Sequence, residues 1–242
     1  MNESTGRFNS STLGDMETHG FAIVPGLLSV DEIARLIQLV SLHTAENDSA
    51  RSRAGQTYAI RNLFSEVPAI RTLAESGPLK ELAMFILGGS ATPVKATLFD
   101  KTETANWKVP WHQDVTIAVD RRADLAGFGP WTEKAGVIHV QPPAEILENM
   151  IALRLHLDNC DATNGALLVL PGSHGEGRLR DEGIERWKGV AAPVTCSANA
   201  GDVLAMWPLL VHASASSTAS APRRVVHIEY AGGTLPGGLH WA

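Results

Sequence analysis

Three residues of this chain, His112, Asp114 and His212, have the types and the spacing needed to hold a metal ion. His112 and Asp114 are two positions apart within residues 111–119, so on an extended strand both side chains leave the same face. A second imidazole from His212 would complete a set of two histidines and one carboxylate. Such a set holds Fe(II) from one side and leaves coordination positions open. The sequence therefore predicts a non-haem iron centre.

A histidine and an aspartate two positions apart are a weak signal alone, and the downstream residues add to it. His212 follows an apolar stretch at 203–211, and Arg223 and Arg224 open a second strand pattern that continues over 225–230. A planar guanidinium binds a carboxylate through two parallel hydrogen bonds. An iron centre of this kind needs a two-electron reductant, and an arginine that could bind a carboxylate is expected beside it. Together these two features indicate 2-oxoglutarate. The residues themselves leave both arginines open as the partner of the distal carboxylate.

Length and composition fit one globular domain over residues 1–242, with residues 1–18 expected to be loose. The chain has 242 residues, 44% of them hydrophobic and 19% charged, so a buried core is feasible. The net charge of −6 argues against nucleic acid or an acidic membrane as partner. Two cysteines are too few for a disulfide scaffold or a zinc site. With no signal-peptide pattern and no membrane-length apolar run, a cytoplasmic protein is expected.

Helical patterns precede strand patterns along the chain. Ser29 and Glu32 form a capping-box pattern that predicts a helix to about residue 43. Pro68 and Pro78 stand at the start of two further helical segments, which are predicted to end near residues 75 and 87. From Pro93 onward the apolar residues favour strands. The order of patterns predicts a mainly β fold with flanking helices.

The segment 120–149, directly after the metal motif, is rich in glycine and proline. An irregular stretch of this length is uncommon unless it has a function. The sequence therefore predicts a lid over the metal, with Trp131 as a candidate substrate-facing residue. Packing of Trp131 onto the rest of the protein is an equally good alternative.

Residues 151–158 alternate between two faces. The leucines at 153, 155 and 157 share one face, and Arg154 and His156 share the other. These two polar residues could line an interior near the iron, where His156 would be a substrate contact, or face solvent. Asn164 and Gly165 then predict a hairpin turn into a strand at 166–170. The remaining histidines are expected to be ordinary core or surface side chains.

Four stretches resemble the phytanoyl-CoA dioxygenase (PhyH-like) family of Fe(II)/2-oxoglutarate-dependent oxygenases. They are residues 20–29, the motif at 111–114, the run NGALLVLPGSH at 164–174, and His212 with Arg223 eleven positions later. The run at 164–174 is the most specific of them. The resemblance covers nearly the whole chain and implies a double-stranded β-helix, a cupin-like jelly roll.

The resemblance also implies roles that spacing leaves open. Arg223 rather than Arg224 would hold the distal carboxylate of 2-oxoglutarate, with help from Ser214. Thr97 and Arg154 correspond to positions where family members contact 2-oxoglutarate. Related halogenases carry a small residue in place of the carboxylate ligand, so Asp114 disfavours halogenation.

The expected activity is an Fe(II)/2-oxoglutarate-dependent dioxygenase. It would use O2 to hydroxylate an aliphatic carbon of a small-molecule substrate and release succinate and CO2. The alternative is a cupin-like metal-dependent isomerase or binding barrel that does not use 2-oxoglutarate. That alternative would need neither Arg223 nor the stretch at 164–174. The substrate and the oligomeric state are left open.

Overall fold

The structure is a computed structural model that describes residues 8–44, 51–53, 56–101, 108–134, 136–218 and 222–242. Its helices are α1 Ser10–His19, α2 Val30–Thr44, α3 Leu63–Glu66, α4 Pro68–Glu75, α5 Gly77–Leu87, α6 Ala144–Glu148 and α7 Asp181–Val190. None of the helices in these ranges is long and apolar enough to cross a membrane.

The strands are β1 Phe21–Val24, β2 Arg51–Arg53, β3 Gln56–Ile60, β4 Thr92–Lys101, β5 Val109–His112, β6 Ile117–Val119, β7 Trp131–Lys134, β8 Val137–Val140, β9 Met150–His156, β10 Leu167–Val169, β11 Val194–Cys196, β12 Val203–Met206, β13 His212–Ser214 and β14 Arg223–Ala231.

These strands form antiparallel sheets of seven, four and three strands. The orders are β1-β12-β9-β14-β4-β3-β2, β11-β10-β13-β5 and β6-β8-β7. The two larger sheets share one apolar cluster, which joins Ala152 and Leu204 of the seven-stranded sheet to Leu167 and Val169 of the four-stranded sheet. The expected mainly β, jelly-roll fold with flanking helices is confirmed. No barrel is closed among the described strands.

Strand β9 shows how the alternating sequence sorts the two faces of the larger sheet. Leu153 and Leu155 belong to the apolar cluster that also contains buried side chains of α2, α4 and α5, so this face is covered by helices. Arg154 and His156 on the opposite face are 6% and 2% exposed. Of the two positions that the sequence allows for these polar residues, the structure shows the interior one.

The helix boundaries follow their capping residues. Ser29 donates from its backbone N–H to Glu32 Oε2 at 2.8 Å, and Glu32 N–H donates to Ser29 Oγ at 3.3 Å, which is the predicted capping box in front of α2. Helix α4 begins at Pro68 and ends at Glu75 as predicted. Helix α5 ends at Leu87, where Gly88 takes a left-handed conformation with φ of 70°.

The N-terminal segment differs from the expectation of a loose stretch. Residues 10–18 lie in helix α1, whose first turn is capped by a hydrogen bond from Thr12 N–H to the Asn9 side chain. The helix is anchored by Met16, which is 1% exposed. Its weak apolar periodicity explains why the sequence pattern missed it. Residues 1–7 of the predicted loose segment lie outside the described residues.

The segment 120–149 also differs from the prediction, because much of it is regular. Strands β7 and β8 join β6 in the three-stranded sheet, and α6 follows. Trp131 packs against the apolar cluster that includes Ile117, Val140, Leu235 and Leu239. This contact corresponds to the packing alternative for Trp131. The residues contributed by the C-terminal end of the chain stabilise the sheet, and they are too distant in sequence for local patterns to reveal.

The predicted hairpin at Asn164 and Gly165 is wrong. Gly165 does take a positive φ of 78°, but β9 pairs with β12 and β14, whereas β10 pairs with β11 and β13. The turn therefore carries the chain from one sheet to the other. Asn164 stabilises it by donating to Asn159 O at 2.7 Å and accepting from Asp161 N–H at 2.8 Å.

Candidate active site

The three predicted metal ligands meet at the edge of the four-stranded sheet. His112 on β5 and His212 on β13 are direct register partners, with ring centroids 4.2 Å apart. Asp114 follows β5 and is fixed by its backbone N–H, which donates to Pro208 O at 2.9 Å. One ligand atom from each residue lies within 4.8 Å of the other two. Strand pairing thus brings together residues that are about a hundred positions apart.

Backbone carbonyls orient both imidazoles. His112 Nδ1 lies 2.9 Å from Pro110 O, and His212 Nδ1 lies 2.8 Å from Leu210 O. A carbonyl oxygen only accepts, so each Nδ1 carries a hydrogen, and in a neutral imidazole this leaves the lone pair on Nε2 for a metal. The two Nε2 atoms lie 3.8 and 3.7 Å from the Asp114 carboxylate oxygens. The donor set therefore fits a divalent metal that takes nitrogen and oxygen ligands.

The electrostatics favour the ligating forms of Asp114 and His212. Burial alone would raise the pKa of Asp114, but the nearby His212, His227, His112 and Lys95 outweigh it and hold the pKa well below its usual range. Burial lowers the pKa of His212 to about 4, against the opposing effect of Asp114. At neutral pH the site consequently offers a carboxylate and a neutral imidazole, as metal binding requires.

A cavity of about 200 Å³ lies beside these ligands. Its walls include alternate residues of β4 and β14, which lie side by side in register on one face of the seven-stranded sheet. From one end to the other, the β4 residues are Lys101, Phe99, Thr97 and Lys95, and the β14 residues include Arg223, His227 and Glu229. The rung of Lys101 with Arg223 is six residues from the rung of Lys95 with Glu229, about 20 Å along the strands.

One end of the cavity concentrates positive charge. Lys101 and Arg223 form its last rung and are 1% and 3% exposed, and Arg154, which is 6% exposed, lies nearby on β9 beside His227. The Nε atoms of both arginines are buried and lack a hydrogen-bond partner. Arg154 donates to His227 Nδ1 at 3.1 Å. Buried charges are costly unless paired, so this end fits an anionic ligand such as the distal carboxylate of 2-oxoglutarate.

The two neighbouring arginines face opposite sides of β14. Arg223 lines the cavity, whereas Arg224 forms a two-point ion pair with Asp158, with Nε–Oδ2 and Nη2–Oδ1 distances of 2.8 and 2.7 Å. Only Arg223 is placed to meet a ligand in the cavity. This geometry agrees with the choice that the resemblance implied.

The remaining candidates from the sequence are divided between the cavity and the surrounding core. Thr97 and Ser214 line the cavity with Arg154. His156 is buried two residues beyond Arg154 on the same strand face but is not among the cavity-lining residues described. Trp131 packs against the separate apolar cluster under the three-stranded sheet and is not among the described residues that line the cavity, so its contact with substrate stays a prediction.

Four polar cavity residues were missed by sequence reasoning: Lys95, Lys101, His227 and Glu229. His227 lines the cavity and so differs from the expectation of an ordinary core or surface histidine. A usable signal existed, because positions 227 and 229 share the strand face of Arg223 and positions 95 and 101 share that of Thr97. The pairing between the two strands, which makes them one wall, is not visible in the sequence.

The buried His156 gives a testable pH dependence of stability. Burial, together with the charges of Arg154 and Arg223, lowers the pKa of His156 to about 4, whereas an unfolded histidine titrates near 6.5. Between these values only the unfolded state takes up the proton, so the free energy of unfolding falls as the pH drops from about 6.5 to 4. We expect His156→Leu to lose less stability than the wild type between pH 7 and pH 5 in urea unfolding of metal-free protein.

The exposed His240, changed to Leu, serves as the control and is expected to retain the wild-type pH dependence. Asp100 works in the opposite sense, because burial raises its pKa to about 6, but its contribution is common to all three proteins. Identical pH dependence in the His156 variant and the wild type would contradict this assignment.

An antiparallel jelly roll that carries two histidines on adjacent strands, with a carboxylate just beyond one of them, has the architecture of the Fe(II)/2-oxoglutarate-dependent oxygenases. Within this class, the chain belongs to the phytanoyl-CoA dioxygenase (PhyH) family, whose sequence pattern matches residues 16–225. No curated protein sequence matches the chain.

Solved structures share this fold over nearly the whole chain. AviO1 from Streptomyces viridochromogenes Tue57 is 23% identical, with a TM-score of 0.70 over 95% of this chain and 97% of its own. EctD from S. alaskensis is 18% identical, with a TM-score of 0.73 over 96% of this chain and 79% of its own. SnoK, a non-heme alpha ketoglutarate dependent carbocyclase from nogalamycin biosynthesis, is 14% identical, with a TM-score of 0.74 over 95% and 86%.

Proposed function

We propose that this protein is an Fe(II)/2-oxoglutarate-dependent dioxygenase that hydroxylates an aliphatic carbon of a small molecule. The observation that carries the proposal is the presence, in one cavity, of an intact His112–Asp114–His212 set and a buried cationic end. We also propose that residues 1–242 form one such domain. Two buried free thiols, Cys160 and Cys196, suit a reducing compartment such as the cytoplasm.

Each part of the cavity has a role in this proposal. His112, Asp114 and His212 would hold iron, and Arg223 would hold the distal carboxylate of 2-oxoglutarate, with Arg154 and Thr97 on the neighbouring walls. When bound, iron and 2-oxoglutarate together supply the oxidation of a C–H bond by O2, with release of succinate and CO2. The protein fixes the relative positions of these partners and limits their access to water.

The solved structures support the choice of cofactors. EctD has been solved with bound Fe, and with 2-oxoglutarate and 5-hydroxyectoine. The epimerase SnoN has been solved with Fe3+, alpha ketoglutarate and nogalamycin RO. Members of this fold therefore combine one cofactor pair with different outcomes, and hydroxylation is the outcome that we propose here.

The end of the cavity opposite Lys101 and Arg223 favours a polar substrate. Lys95 and Glu229 form a largely buried ion pair at 2.6 Å, and His227 Nε2 lies 3.7 Å from the same carboxylate. An apolar chain placed here would leave these groups with no bond to the ligand, whereas a hydroxyl or zwitterionic group could bond to them. We therefore propose a substrate with hydrogen-bonding groups beside the reacting carbon, rather than a plain acyl chain.

Succinate formation from 2-oxoglutarate tests the proposal. We expect Fe(II)-dependent succinate release to be stimulated by a polar compound, in a panel that contains a cyclic zwitterion such as ectoine, a glycoside and a branched acyl thioester. Glu229→Gln should lower the stimulated rate about tenfold or more, since a hydrogen bond to a charged group contributes roughly 1.5–3 kcal/mol.

The matched control is Glu185→Gln, which alters the exposed Glu185–Lys188 ion pair on α7 and should leave the rate unchanged. Stimulation by the acyl thioester alone, with no effect of Glu229→Gln, would contradict the proposed substrate class. Absence of Fe(II)-dependent succinate formation with every compound would count against the dioxygenase itself.

A further inference from the structure

We propose that the substrate extends past His112 into a second cleft, where Arg178 and Arg180 bind a carboxylate or phosphate group remote from the reacting carbon. This outer cleft has a volume of about 600 Å³ and is lined by residues that include Trp111, His112, Gln141, Arg178 and Arg180. The inference rests on the proposed function and adds to it a binding site for a distant part of the substrate.

The cavity at the metal is small for a complete substrate. It measures about 200 Å³, whereas sites that bury a small molecule usually measure about 300–1,000 Å³. 2-Oxoglutarate would itself fill part of this cavity. His112 lines both the cavity and the outer cleft, so the two spaces adjoin at a metal ligand, and the outer cleft can hold the part of a substrate that the cavity does not.

Gln113 fixes the wall that carries the two arginines. Its side-chain nitrogen donates to Gly177 O at 2.9 Å and to Leu209 O at 2.6 Å, and its oxygen accepts from Leu179 N–H at 2.8 Å. Leu179 lies between the two arginines in the sequence, and Gln113 lies between two of the metal ligands. Because Gln113 is 6% exposed, breaking these bonds would leave a buried amide unsatisfied. The wall is therefore held in place beside the metal motif.

The outer cleft offers positive charge and hydrogen-bond donors. Arg178 uses Nη1 in a bond to Pro142 O at 3.2 Å, and the side chains of Arg180 and Gln141 make no hydrogen bond within the described part of the chain. Asp181 is the one carboxylate among the described lining residues, against two guanidinium groups. In a chain with a net charge of −6, this local excess of positive charge favours an anion, and guanidinium groups match the geometry of carboxylates and phosphates.

The test compares three probes that share an aromatic ring: benzyl phosphate, phenylacetate and the neutral benzyl alcohol. Each is titrated by calorimetry into the full-length protein loaded with Mn(II) and saturating 2-oxoglutarate, which occupies the cationic end of the cavity. We expect one of the two anions to bind more tightly than benzyl alcohol, and the tighter anion identifies the group as phosphate or carboxylate. The double variant Arg178→Met with Arg180→Met should raise the Kd of that anion about tenfold and leave the Kd for 2-oxoglutarate within about twofold.

Arg186→Met is the matched control, because Arg186 pairs with the exposed Glu176 and is not among the described residues that line the outer cleft. It should leave the Kd of the anion unchanged. An anion that coordinates Mn(II) directly would bind equally well to the double variant, and that result would overturn the inference. So would a wild type that prefers neither anion to benzyl alcohol. If the wild type binds no 2-oxoglutarate in the presence of Mn(II), the proposed function itself fails.

Discussion

Asp114→Ala is expected to abolish Fe(II) binding and turnover while leaving the fold intact. The remaining two imidazoles are neutral donors, so the variant loses the one negative charge that offsets the metal. Asp114 is partly exposed toward the cavity and its side chain supports no described core contact. Iron content per chain after anaerobic loading, together with the thermal unfolding midpoint, measures the two effects separately.

Asp124→Ala is the matched control, because Asp124 is exposed in the segment that follows the metal motif. It should retain one iron per chain. Full iron occupancy and normal turnover in the Asp114 variant would show that the three residues do not form the metal site.

Arg223→Met is expected to raise the Kd for 2-oxoglutarate at least ten- to a hundredfold. A two-point, charge-assisted contact is lost, and hydrogen bonds to charged groups contribute roughly 1.5–3 kcal/mol each. Because Arg223 is 3% exposed with an unpartnered Nε, its replacement by an apolar side chain removes a buried charge and should not unfold the protein. Equilibrium binding to the metal-loaded protein gives the Kd directly.

Arg224→Met provides the neighbouring control. It breaks the two-point ion pair with Asp158 at the end of β14, so we expect a lower unfolding midpoint and an unchanged Kd for 2-oxoglutarate. The reverse ranking of the two variants would move the carboxylate site to Arg224.

The metal ligands could be predicted because their spacing in the sequence determines which face of a strand they share. His112 and Asp114 share a strand face through the period of two, and the apolar stretch before His212 marks the strand that carries the third ligand. Helices α2, α4 and α5 could be predicted because capping residues, prolines and glycines mark where they start and end. Local chemistry determines all of these features.

The features that the sequence did not reveal depend on long-range pairing. The wall formed by Lys95, Lys101, His227 and Glu229 exists only because β4 and β14 pair in one register across more than a hundred residues. The same holds for the link at Gly165, which joins two sheets, and for Trp131, which packs against residues from the C-terminal end. No local periodicity encodes such partners.

Anaerobic titration of 2-oxoglutarate into the Fe(II)-loaded protein tests the central claim most directly. One 2-oxoglutarate should bind per iron, and binding should be much weaker without metal, since one end of the ligand would then lose its chelating partner while Arg223 still holds the other. A cupin-like isomerase or binding barrel would give the opposite result. Iron bound by His112, Asp114 and His212, with no saturable binding of 2-oxoglutarate, would contradict the assignment.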